Sequence, residues 1–323
     1  MTVAAKGLTV LLATRNRAQS LERVLQGLAR QRIDPGLRWE LVVVNNSSTD
    51  ATEEVLRAWH SQLPLIVLQQ PTPGKYRAVN QGLDIAGGEL IVFTDDDIIP
   101  ASDWLQTLAD AAVRWPDDDI FGGRVIPEFP NGTPAWMMEE PWVSAVFSRF
   151  DLGPEEGRCE RTPFGPNMAI RRRALANTRF REDIGPRGNK YPIGGETELL
   201  QRLQRSGMRC VYIPGAWVKH SVSLEQTTSN YIWQRGHNFG QGLLKMSLVA
   251  RSAPRLWGVP RYLWRELTFA RIIQLVCLLR RDPLEQRRAR WQTQVVKGMI
   301  HQSRLRNESE LSHAPSHEPK TRG

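Results

Sequence analysis

The sequence predicts an α/β fold with a mostly parallel sheet that is covered by helices on both faces. Short runs rich in β-branched residues alternate with helical patterns over the first 125 residues. The first run, LTVLLA, is apolar throughout, as in a strand that is buried on both faces. At 323 residues the chain has room for one large domain and an appendage. Alternation of strands and helices at this chain length indicates a doubly covered parallel sheet.

The predicted elements follow one another at short intervals. Strands are predicted at 8–13, 40–45, 65–68, 90–94 and 120–126. Helices are predicted at 20–30, from Asp50 onward, at 75–85 and at 103–113. The helix from Asp50 is expected to begin with a capping box, since Glu53 follows three residues later. Beyond an irregular stretch at 127–163, interpreted as a variable surface over the site, regular structure returns at 167–173, 196–206 and 209–213.

Composition and cysteine usage narrow the class of protein. The chain is 41% hydrophobic and 24% charged, which is ordinary for a soluble globular protein. No stretch approaches the roughly 18 to 20 apolar residues of a membrane-spanning helix, and the apolar run near the N-terminus fits a strand better than an export signal. Cys159, Cys210 and Cys277 form no CxxC pair, so neither a disulfide framework nor a zinc cluster is indicated. We therefore expect a reducing, cytoplasmic location, with each cysteine a small buried apolar group.

The positive charge lies in the C-terminal part of the chain. Residues 251–323 hold 15 Lys and Arg against 6 Asp and Glu, which accounts for the whole net charge of +9. The segment 262–279 is too polar to span a bilayer, and arginines flank it. It is interpreted either as an interfacial helix attracted to anionic lipid or as a helix packed on the catalytic domain. Nucleic-acid binding is not expected, because no recognised motif accompanies the charge.

An acidic triplet follows the fourth predicted strand. Ligands of parallel sheets bind at the carboxyl ends of the strands, and Asp95–Asp97 stands at such an end. Adjacent carboxylates repel one another, and oxygen-only ligands suit Mg²⁺ or Mn²⁺. Asp95 and Asp97 point the same way along an extended chain, which favours them as metal ligands over a solvated loop. A second triplet, Asp117–Asp119, precedes a strand instead and is expected to lie at the opposite edge.

Eight sequence blocks occur in a familiar order. They are TRNR, VVVNNSSTD, PGKYRAVNQG, FTDDDIIP, PNMAIRR, GGETELLQRL, GMRCVYIPGAWVKH and QRGHNFGQG. As an ordered set they resemble the family 2 glycosyltransferases of the GT-A fold, over about three quarters of the chain. The resemblance implies a Rossmann-like sheet, a nucleotide-sugar donor, a divalent cation and an inverting transfer.

The resemblance also implies a set of donor contacts. Asn45 and Asn46 stand where the family usually has an Asp that binds the nucleotide base and the ribose. Because Asn donates as well as accepts hydrogen bonds, the identity of the nucleotide base is left open. Gly74 and Lys75 open a helix whose positive end can face phosphate. The alternative for Thr14 and Arg17 is a simple helix-entry loop after the first strand. The alternative for Lys75 is a solvated surface lysine. The implied donor contacts are Thr14, Arg17, Asn45, Asn46, Lys75, Arg77, Asn80, Asp95 and Asp96.

Glu196 matches the family's acidic residue at the start of a helix, where a carboxylate takes the proton of the acceptor hydroxyl. The alternative for Glu196 is compensation of the helix dipole in the first turn. Glu198 is the rival base, but Arg202, four residues on, can pair with it and make it structural. His220 is implied as a third metal or diphosphate ligand beside Asp95 and Asp97, against the alternative of a structural histidine.

Other segments receive weaker interpretations from the same blocks. Arg235, His237 and Asn238 are interpreted as a mobile loop that closes over the donor. Asn167 is expected to shape the acceptor side, and Arg171–Arg173 to be a solvated basic run.

The sequence thus predicts a catalytic domain over 1–245, with a nucleotide-sugar half to about 125 and an acceptor and base half over 126–245. A basic helical extension over 246–305 and a disordered tail over 306–323 complete the predicted organisation. The predicted reaction moves a sugar from a nucleotide sugar to a hydroxyl of a glycan, a lipid-linked acceptor or a polysaccharide precursor.

The predicted place of this reaction is the cytoplasm, with an anionic membrane surface contacted through 255–290 on the inner face of the cytoplasmic membrane. Alternatives are a nucleotidyltransferase, which usually has a Gly-rich basic loop that TRNRAQS lacks, a non-catalytic nucleotide-sugar-binding relative, or an adaptor built on the basic tail.

Overall fold

The structure, a computed structural model, describes residues 7–187, 191–246 and 253–312. The chain divides into two units: unit 1 comprises residues up to 190 with 194–228, and unit 2 comprises 191–193 with everything from Ser229 onward. This division falls at Ser229, whereas the sequence predicts a catalytic domain that runs to 245. Each unit has its own elements and its own core.

Unit 1 contains a nine-stranded sheet. Its strands are β1 (Leu8–Thr14), β2 (Trp39–Asn45), β3 (Leu65–Gln69), β4 (Leu90–Phe93), β5 (Ile98–Pro100), β6 (Ile120–Glu128), β7 (Gly157–Cys159), β8 (Met168–Arg171) and β9 (Cys210–Ser221). The order along the sheet is β3-β2-β1-β4-β8-β6-β9-β5, and β7 pairs with β9. Strands β3, β2, β1 and β4 are parallel, and β6 is parallel to β9, so the predicted, mostly parallel sheet is confirmed.

Helices cover both faces of this sheet. They are α1 (Ala18–Ala29), α2 (Thr52–Trp59), α3 (Lys75–Ile85), α4 (Trp104–Arg114), α5 (Ala135–Glu139), α6 (Pro141–Ser144), α7 (Arg172–Leu175) and α8 (Gly195–Arg205). Successive strand residues enter opposite cores, as the two-residue period of a strand requires. In β1, for example, Val10 and Leu12 pack with α1, while Leu11 packs with α3. Burial on both faces explains why these strands read as continuous apolar runs.

The start of α2 differs from the predicted capping box. Ala51 is the residue that precedes the helix, and no side chain caps it there. Asp50 accepts hydrogen bonds from the backbone and the hydroxyl of Thr52 and also from the backbone N–H of Ala18. Its carboxylate therefore ties the first turns of two helices together, a long-range role that local spacing does not reveal.

Strand β9 is longer than the sequence predicts. The predicted strand ends at residue 213, before Pro214 and Gly215, but pairing continues to Ser221. The register with β6 shifts between Gly123 and Val125, and this irregularity absorbs the Pro-Gly interruption. The extension places His220 opposite Ile98, in the antiparallel pair that β9 forms with β5.

Unit 2 is helical. It contains α9 (Ser229–Met246), a short hairpin of β10 (Arg255–Leu256) and β11 (Val259–Pro260), α10 (Arg261–Arg280) and α11 (Pro283–Ser312). Its core includes Leu244, Val259, Leu263, Leu267 and Ile300. Helix α11 continues to Ser312, so the predicted disorder from residue 306 is wrong as far as 312, and residues 313–323 lie outside the described part. No helix within the described ranges is long and apolar enough to cross a membrane.

Two of the cysteines meet across a strand pair. Cys159 of β7 lies opposite Cys210 of β9, and their sulfurs are 3.6 Å apart. All three cysteines are free, and Cys210 and Cys277 are buried as predicted, whereas Cys159 is half-buried. The 51 residues that separate the pair hide this contact from a reading of the sequence.

Candidate active site

Polar side chains converge where β1 and β4 end. The two strands are neighbours and parallel, so Thr14 and the triplet Asp95–Asp97 share the carboxyl edge of the sheet. The hydroxyl of Thr14 donates to Asp96 Oδ2 at 2.7 Å. The Ser20 hydroxyl donates to the carbonyl oxygen of Asp96 at 2.7 Å. These contacts fix Asp96 between β1 and α1.

Arg17 binds the other side of the triplet. Its Nη1 lies 2.7 Å from Asp97 Oδ2 and 3.8 Å from Asp96 Oδ1. Burial raises the pKa of Asp96 to about 7, with the charge of Asp97 adding to the effect and Arg17 opposing it. Burial alone would also raise the pKa of Asp97, but the nearby His220 and Arg17 lower it to about 2. Asp97 is therefore the firmly ionised member of the two.

His220 reaches the triplet from β9. Its Nε2 lies 3.2 Å from Asp97 Oδ1, and its Nδ1 is 3.1 Å from the carbonyl oxygen of Phe147. Burial alone would lower the pKa of His220, whereas Asp97 raises it above the ordinary value. Because a carbonyl only accepts, the Nδ1 nitrogen carries a proton and Nε2 faces the carboxylate. His220 and Asp97 therefore lie next to each other, as a shared site for both side chains requires.

Lys75 connects the triplet to the predicted base. As the first residue of α3, it places its Nζ 2.7 Å from Asp95 Oδ1 and 3.2 Å from Glu196 Oε1. Glu196 itself lies in the first turn of α8. Burial alone would raise the pKa of Glu196, but the charge of Lys75 and the hydroxyl of Tyr76 lower it. The structure therefore brings Glu196 and the acidic triplet together around one ammonium group.

Close packing holds Glu196 in this position. A Cβ on Gly165 would lie 2.6 Å from Glu196 Oε1, and a Cβ on Gly195 would lie 2.2 Å from the ring of Tyr76. The Tyr76 ring stacks on Phe180 at a centroid distance of 4.9 Å. Tyr76 is not among the residues predicted from the sequence. Two signals were available, since Tyr76 directly follows Lys75 and a glycine directly precedes Glu196.

Glu198 is engaged as the sequence predicts. Arg202 binds it through two nitrogens, each 2.9 Å from a carboxylate oxygen, and also donates to the carbonyl oxygen of Arg179. Glu198 is therefore committed to a bidentate ion pair along α8, whereas Glu196 faces the triplet.

Asp95, Asp97 and His220 supply donors that suit a divalent cation. Asp97 Oδ1 is buried and makes no hydrogen bond of good geometry to a described residue, although His220 lies beside it. The carboxylate oxygens suit Mn²⁺ or Mg²⁺, and the imidazole nitrogen of His220 is a ligand that a transition metal accepts more readily than Mg²⁺ does. Within the described ranges, no three His, Cys, Asp or Glu side chains are already set in a ligating arrangement. Lys75 and Arg17 instead neutralise the carboxylates, so a cation would take over oxygens that these side chains now bind.

Asn45 and Asn46 end β2 near the same edge, and both are buried. Asn45 Oδ1 accepts from the backbone N–H of Ser48 at 3.2 Å. Asn46 donates to the carbonyl oxygens of Gln70 and Thr72 and accepts from Gly74 N–H at 2.8 Å. Asn46 thus shapes the loop that leads into Lys75, and its predicted contact with the nucleotide stays a prediction.

The side chains of Arg77 and Asn80 bind residues of the segment that follows α7. Arg77 pairs with Glu182 at 2.8 Å. The side-chain amide of Asn80 donates to the carbonyl oxygen of Phe180 and accepts from its N–H, each at 3.0 Å. These contacts secure the stretch that carries Phe180 against Tyr76. The donor contacts predicted for Arg77 and Asn80 stay predictions.

Three weaker interpretations of the sequence differ from the structure. Arg235, His237 and Asn238 lie within the 18-residue helix α9 rather than in a loop. Asn167 is fully buried, and its amide binds Trp104, Arg124 and Ala216 inside the fold. The run at 171–173 is not merely solvated, because Arg171 donates to three backbone carbonyl oxygens and Arg173 pairs with Asp119.

The second acidic triplet lies elsewhere and is neutralised by arginines. Asp118 has a side-chain exposure of only 1% and pairs with Arg158 at 2.9 Å and with Arg209 at 3.1 Å. Burial alone would raise the pKa of Asp118, but these two arginines lower it. Two stretches with the same composition therefore have different surroundings, because one follows a strand and the other precedes one.

Replacing Asp118 with Asn is expected to lower the free energy of unfolding at neutral pH by roughly 1–3 kcal/mol. The native pKa lies below the ordinary value of 3.8, so this stabilisation is present above pH 3.8 and is lost as the pH falls through the native pKa. Urea unfolding of both proteins over a pH series measures the difference. The exposed neighbour supplies the control, Asp117→Asn, which should change stability by less than about 0.5 kcal/mol. Equal stability of Asp118→Asn and the natural protein at neutral pH would contradict the assignment.

Comparison with known proteins gives the chain a family. Residues 9–179 match the family described as glycosyl transferase family 2. The chain is 24% identical to glycosyltransferase AglE of Haloferax volcanii over 289 residues, which cover 88% of this chain and 84% of that protein. It is 24% identical to the glucosyl-dolichyl phosphate glucuronosyltransferase of the same organism over 235 residues, 71% and 72% of the two chains.

A solved structure shows the same fold. The mannosyltransferase PcManGT from Pyrobaculum calidifontis, in complex with GDP-Man and Mn²⁺, superposes with a TM-score of 0.62 at 19% identity, covering 91% of this chain and 86% of that one. The family match spans more than half of the sequence, and Thr14 and Asp95–Asp97 lie at the carboxyl ends of the neighbouring parallel strands β1 and β4. The protein belongs to glycosyl transferase family 2 and has the GT-A fold.

Proposed function

We propose that the protein is an inverting, divalent-metal-dependent glycosyltransferase that moves a sugar from a nucleoside diphosphate sugar to an acceptor hydroxyl. The observation that carries this proposal is the ammonium group of Lys75, which contacts Asp95 and Glu196 at once. It places the candidate base beside the candidate cation site. That arrangement is what a single displacement at an anomeric carbon requires.

Glu196 serves as the general base in this proposal. Its lowered pKa keeps the carboxylate ionised at neutral pH and therefore able to accept a proton. The acceptor oxygen loses its proton to Glu196 and attacks the anomeric carbon from the face opposite the diphosphate. The bond between that carbon and the diphosphate oxygen breaks, and one displacement inverts the anomeric configuration.

The triplet and its cationic neighbours hold the leaving group. Asp95, Asp97 and His220 would hold Mn²⁺ or Mg²⁺, which when bound neutralises charge on the departing diphosphate. Arg17 and Lys75 now bind the carboxylates and can turn their positive charge to the phosphates instead. Once Lys75 leaves Glu196, the carboxylate loses the charge that lowers its pKa and becomes a stronger base.

The remaining donor contacts are proposed for Thr14, Asn45, Asn46, Arg77, Asn80 and Asp96, at or near the same edge. The acceptor is proposed to be a glycan or a lipid-linked hydroxyl, in keeping with the name of one relative, the glucosyl-dolichyl phosphate glucuronosyltransferase. Mn²⁺ in a structural neighbour supports the choice of cation. The cytoplasmic location, at the inner face of the membrane, stays a prediction.

A panel of nucleotide sugars is expected to contain one donor that raises the melting temperature only with Mn²⁺ or Mg²⁺ present. At a hundredfold excess over its Kd, a ligand stabilises the folded state by about 2.7 kcal/mol. The melting temperature is measured by thermal unfolding with each donor, once with the cation and once with a chelator. Equal stabilisation by a donor in the presence of chelator would contradict the proposed role of the cation. If no donor stabilised the protein, the proposed function itself would be contradicted.

A further inference from the structure

Helix α10 of unit 2 carries apolar side chains on two opposite sides. One stripe, formed by Leu263, Leu267, Ala270 and Cys277, is buried. Gln274 and Thr293 join α10 to α11 by a hydrogen bond of 3.2 Å on this side. The exposed apolar residues lie between Phe269 and Leu279, toward the C-terminal end of the helix. They are Phe269, Ile272, Ile273, Leu275, Val276, Leu278 and Leu279.

This second stripe is exposed to an unusual degree. Phe269 is 60% exposed and Leu279 is 74% exposed. A helix that is apolar all round is ordinarily buried on all sides, and contiguous exposed apolar surface marks an interaction site. Unit 2 thus has an apolar face where α10 is not covered by α11. Another exposed aromatic residue, Trp257 at 75%, stands at the turn of the hairpin and packs edge-on against Trp264 at the start of α10.

The part of the chain that carries the exposed stripe is positively charged. Residues 261–290 contain eight Arg against three Asp and Glu, a net charge of +5. Arg271 lies within the stripe's half of the helix, and Arg280 and Arg281 end it, all three exposed. A second copy of the chain on this face would bring two such charged surfaces together. An anionic surface is the better complement.

A cavity of about 470 Å³ lies beside the same helix. Trp264 and Leu267 of α10 line it together with Lys297 and Arg304 of α11, and none of the described residues that line it is acidic. The Arg304 guanidinium lies over the Trp264 ring, 5.5 Å from its centroid. Further along α10, Leu275 and Leu278 follow Trp264 at helical spacing on the same side. The cavity therefore offers cations to a phosphate next to apolar side chains.

We infer that unit 2 docks on an anionic lipid bilayer, with the exposed stripe of α10 in the interfacial region and Arg271, Lys297 and Arg304 facing lipid phosphates. The inference goes beyond the proposed glycosyl transfer and does not depend on it. Apolar insertion and attraction to anionic headgroups act together in such contacts.

Flotation of the full chain with vesicles tests the inference. The protein should float with vesicles of mixed phosphatidylglycerol and phosphatidylcholine, and only weakly with phosphatidylcholine alone. The double variant Ile272→Gln, Leu279→Gln should weaken partitioning by roughly tenfold or more, because two exposed apolar groups no longer insert. Arg271→Gln with Arg304→Gln should weaken it by about fivefold for each arginine.

Matched variants in unit 1 serve as controls. Ile85→Gln changes an exposed apolar residue of α3, and Arg23→Gln with Arg30→Gln removes one exposed charge from α1 and one directly after it. These controls should partition like the natural protein, and circular dichroism should show all variants folded. Because the charge variant leaves the apolar stripe intact, it tests the inference even if the apolar variant fails to fold.

Three outcomes of the flotation experiment would overturn the inference. They are absence of flotation, equal flotation with neutral vesicles, and an equal loss in the controls. A natural protein that is dimeric and becomes monomeric in the apolar variant would also overturn it, since a second copy would then cover the stripe.

Discussion

Replacing Asp97 with Ala is expected to abolish glycosyl transfer while leaving the fold intact. Asp97 contributes a buried oxygen beside His220 and a second oxygen that binds Arg17 at 2.7 Å. Its loss removes a proposed cation ligand and releases Arg17, which is proposed to contact the donor diphosphate. Since a bound cation contributes several kcal/mol of charge stabilisation, kcat should fall by about a thousandfold or more. Steady-state kinetics with the identified donor and far-UV circular dichroism measure the two effects.

The second triplet provides a control of the same chemistry. Asp117→Ala removes an exposed carboxylate from the opposite edge of the sheet, so its turnover should equal that of the natural protein. Near-normal turnover of Asp97→Ala would refute the cation assignment. A comparable loss in Asp117→Ala would show that the effect of either change is general destabilisation.

Position relative to a strand separates the two triplets, and this rule could be applied to the sequence. Parallel strands place their carboxyl ends at one edge, so Asp95–Asp97 had to lie near Thr14 once β1 and β4 were recognised. The strands themselves were recognisable because burial on both faces requires apolar residues at successive positions. Local patterns therefore determined the sheet and the location of the site within it.

The partners of individual side chains did not follow from local patterns. Lys75 and Glu196 are 121 residues apart, and their contact depends on how α3 and α8 pack on the same face. His220 seemed to follow a strand because Pro214 and Gly215 ordinarily end one. A register shift in the pairing of β6 with β9 lets β9 continue past them, and only the pairing of two distant strands reveals it.

Asparagine is the residue type whose role the sequence leaves most open. An amide both donates and accepts, so it serves a ligand or the backbone equally well. Asn46 shapes the loop before Lys75, and Asn167 joins three buried elements. The choice depends on whether backbone groups lie within reach in the folded chain. Sequence spacing carries no information on that point.

Replacing Glu196 with Gln is expected to lower kcat by about 10²- to 10⁴-fold, the contribution typical of a positioned general base. Glutamine has nearly the same size and leaves the Lys75 contact with Asp95 in place. The KM for the donor should therefore change little. In the natural free enzyme the pKa of Glu196 lies below its ordinary value of 4.5, so Glu196 itself should cause no fall in kcat/KM until the pH drops below 4.5, whereas His220 and Asp96, whose pKa values are raised, titrate at higher pH. Kinetics over a pH series measure both effects.

Glu198→Gln is the matched control, two residues along the same helix. It removes a bidentate pair with Arg202, and the free energy of unfolding should fall by roughly 1–3 kcal/mol. Turnover of the folded protein should stay close to that of the natural protein, because Glu198 faces Arg202 rather than the triplet. If Glu198→Gln lost turnover while Glu196→Gln kept it, the base would be Glu198, and Lys75 would bind Glu196 only to hold α8 against α3.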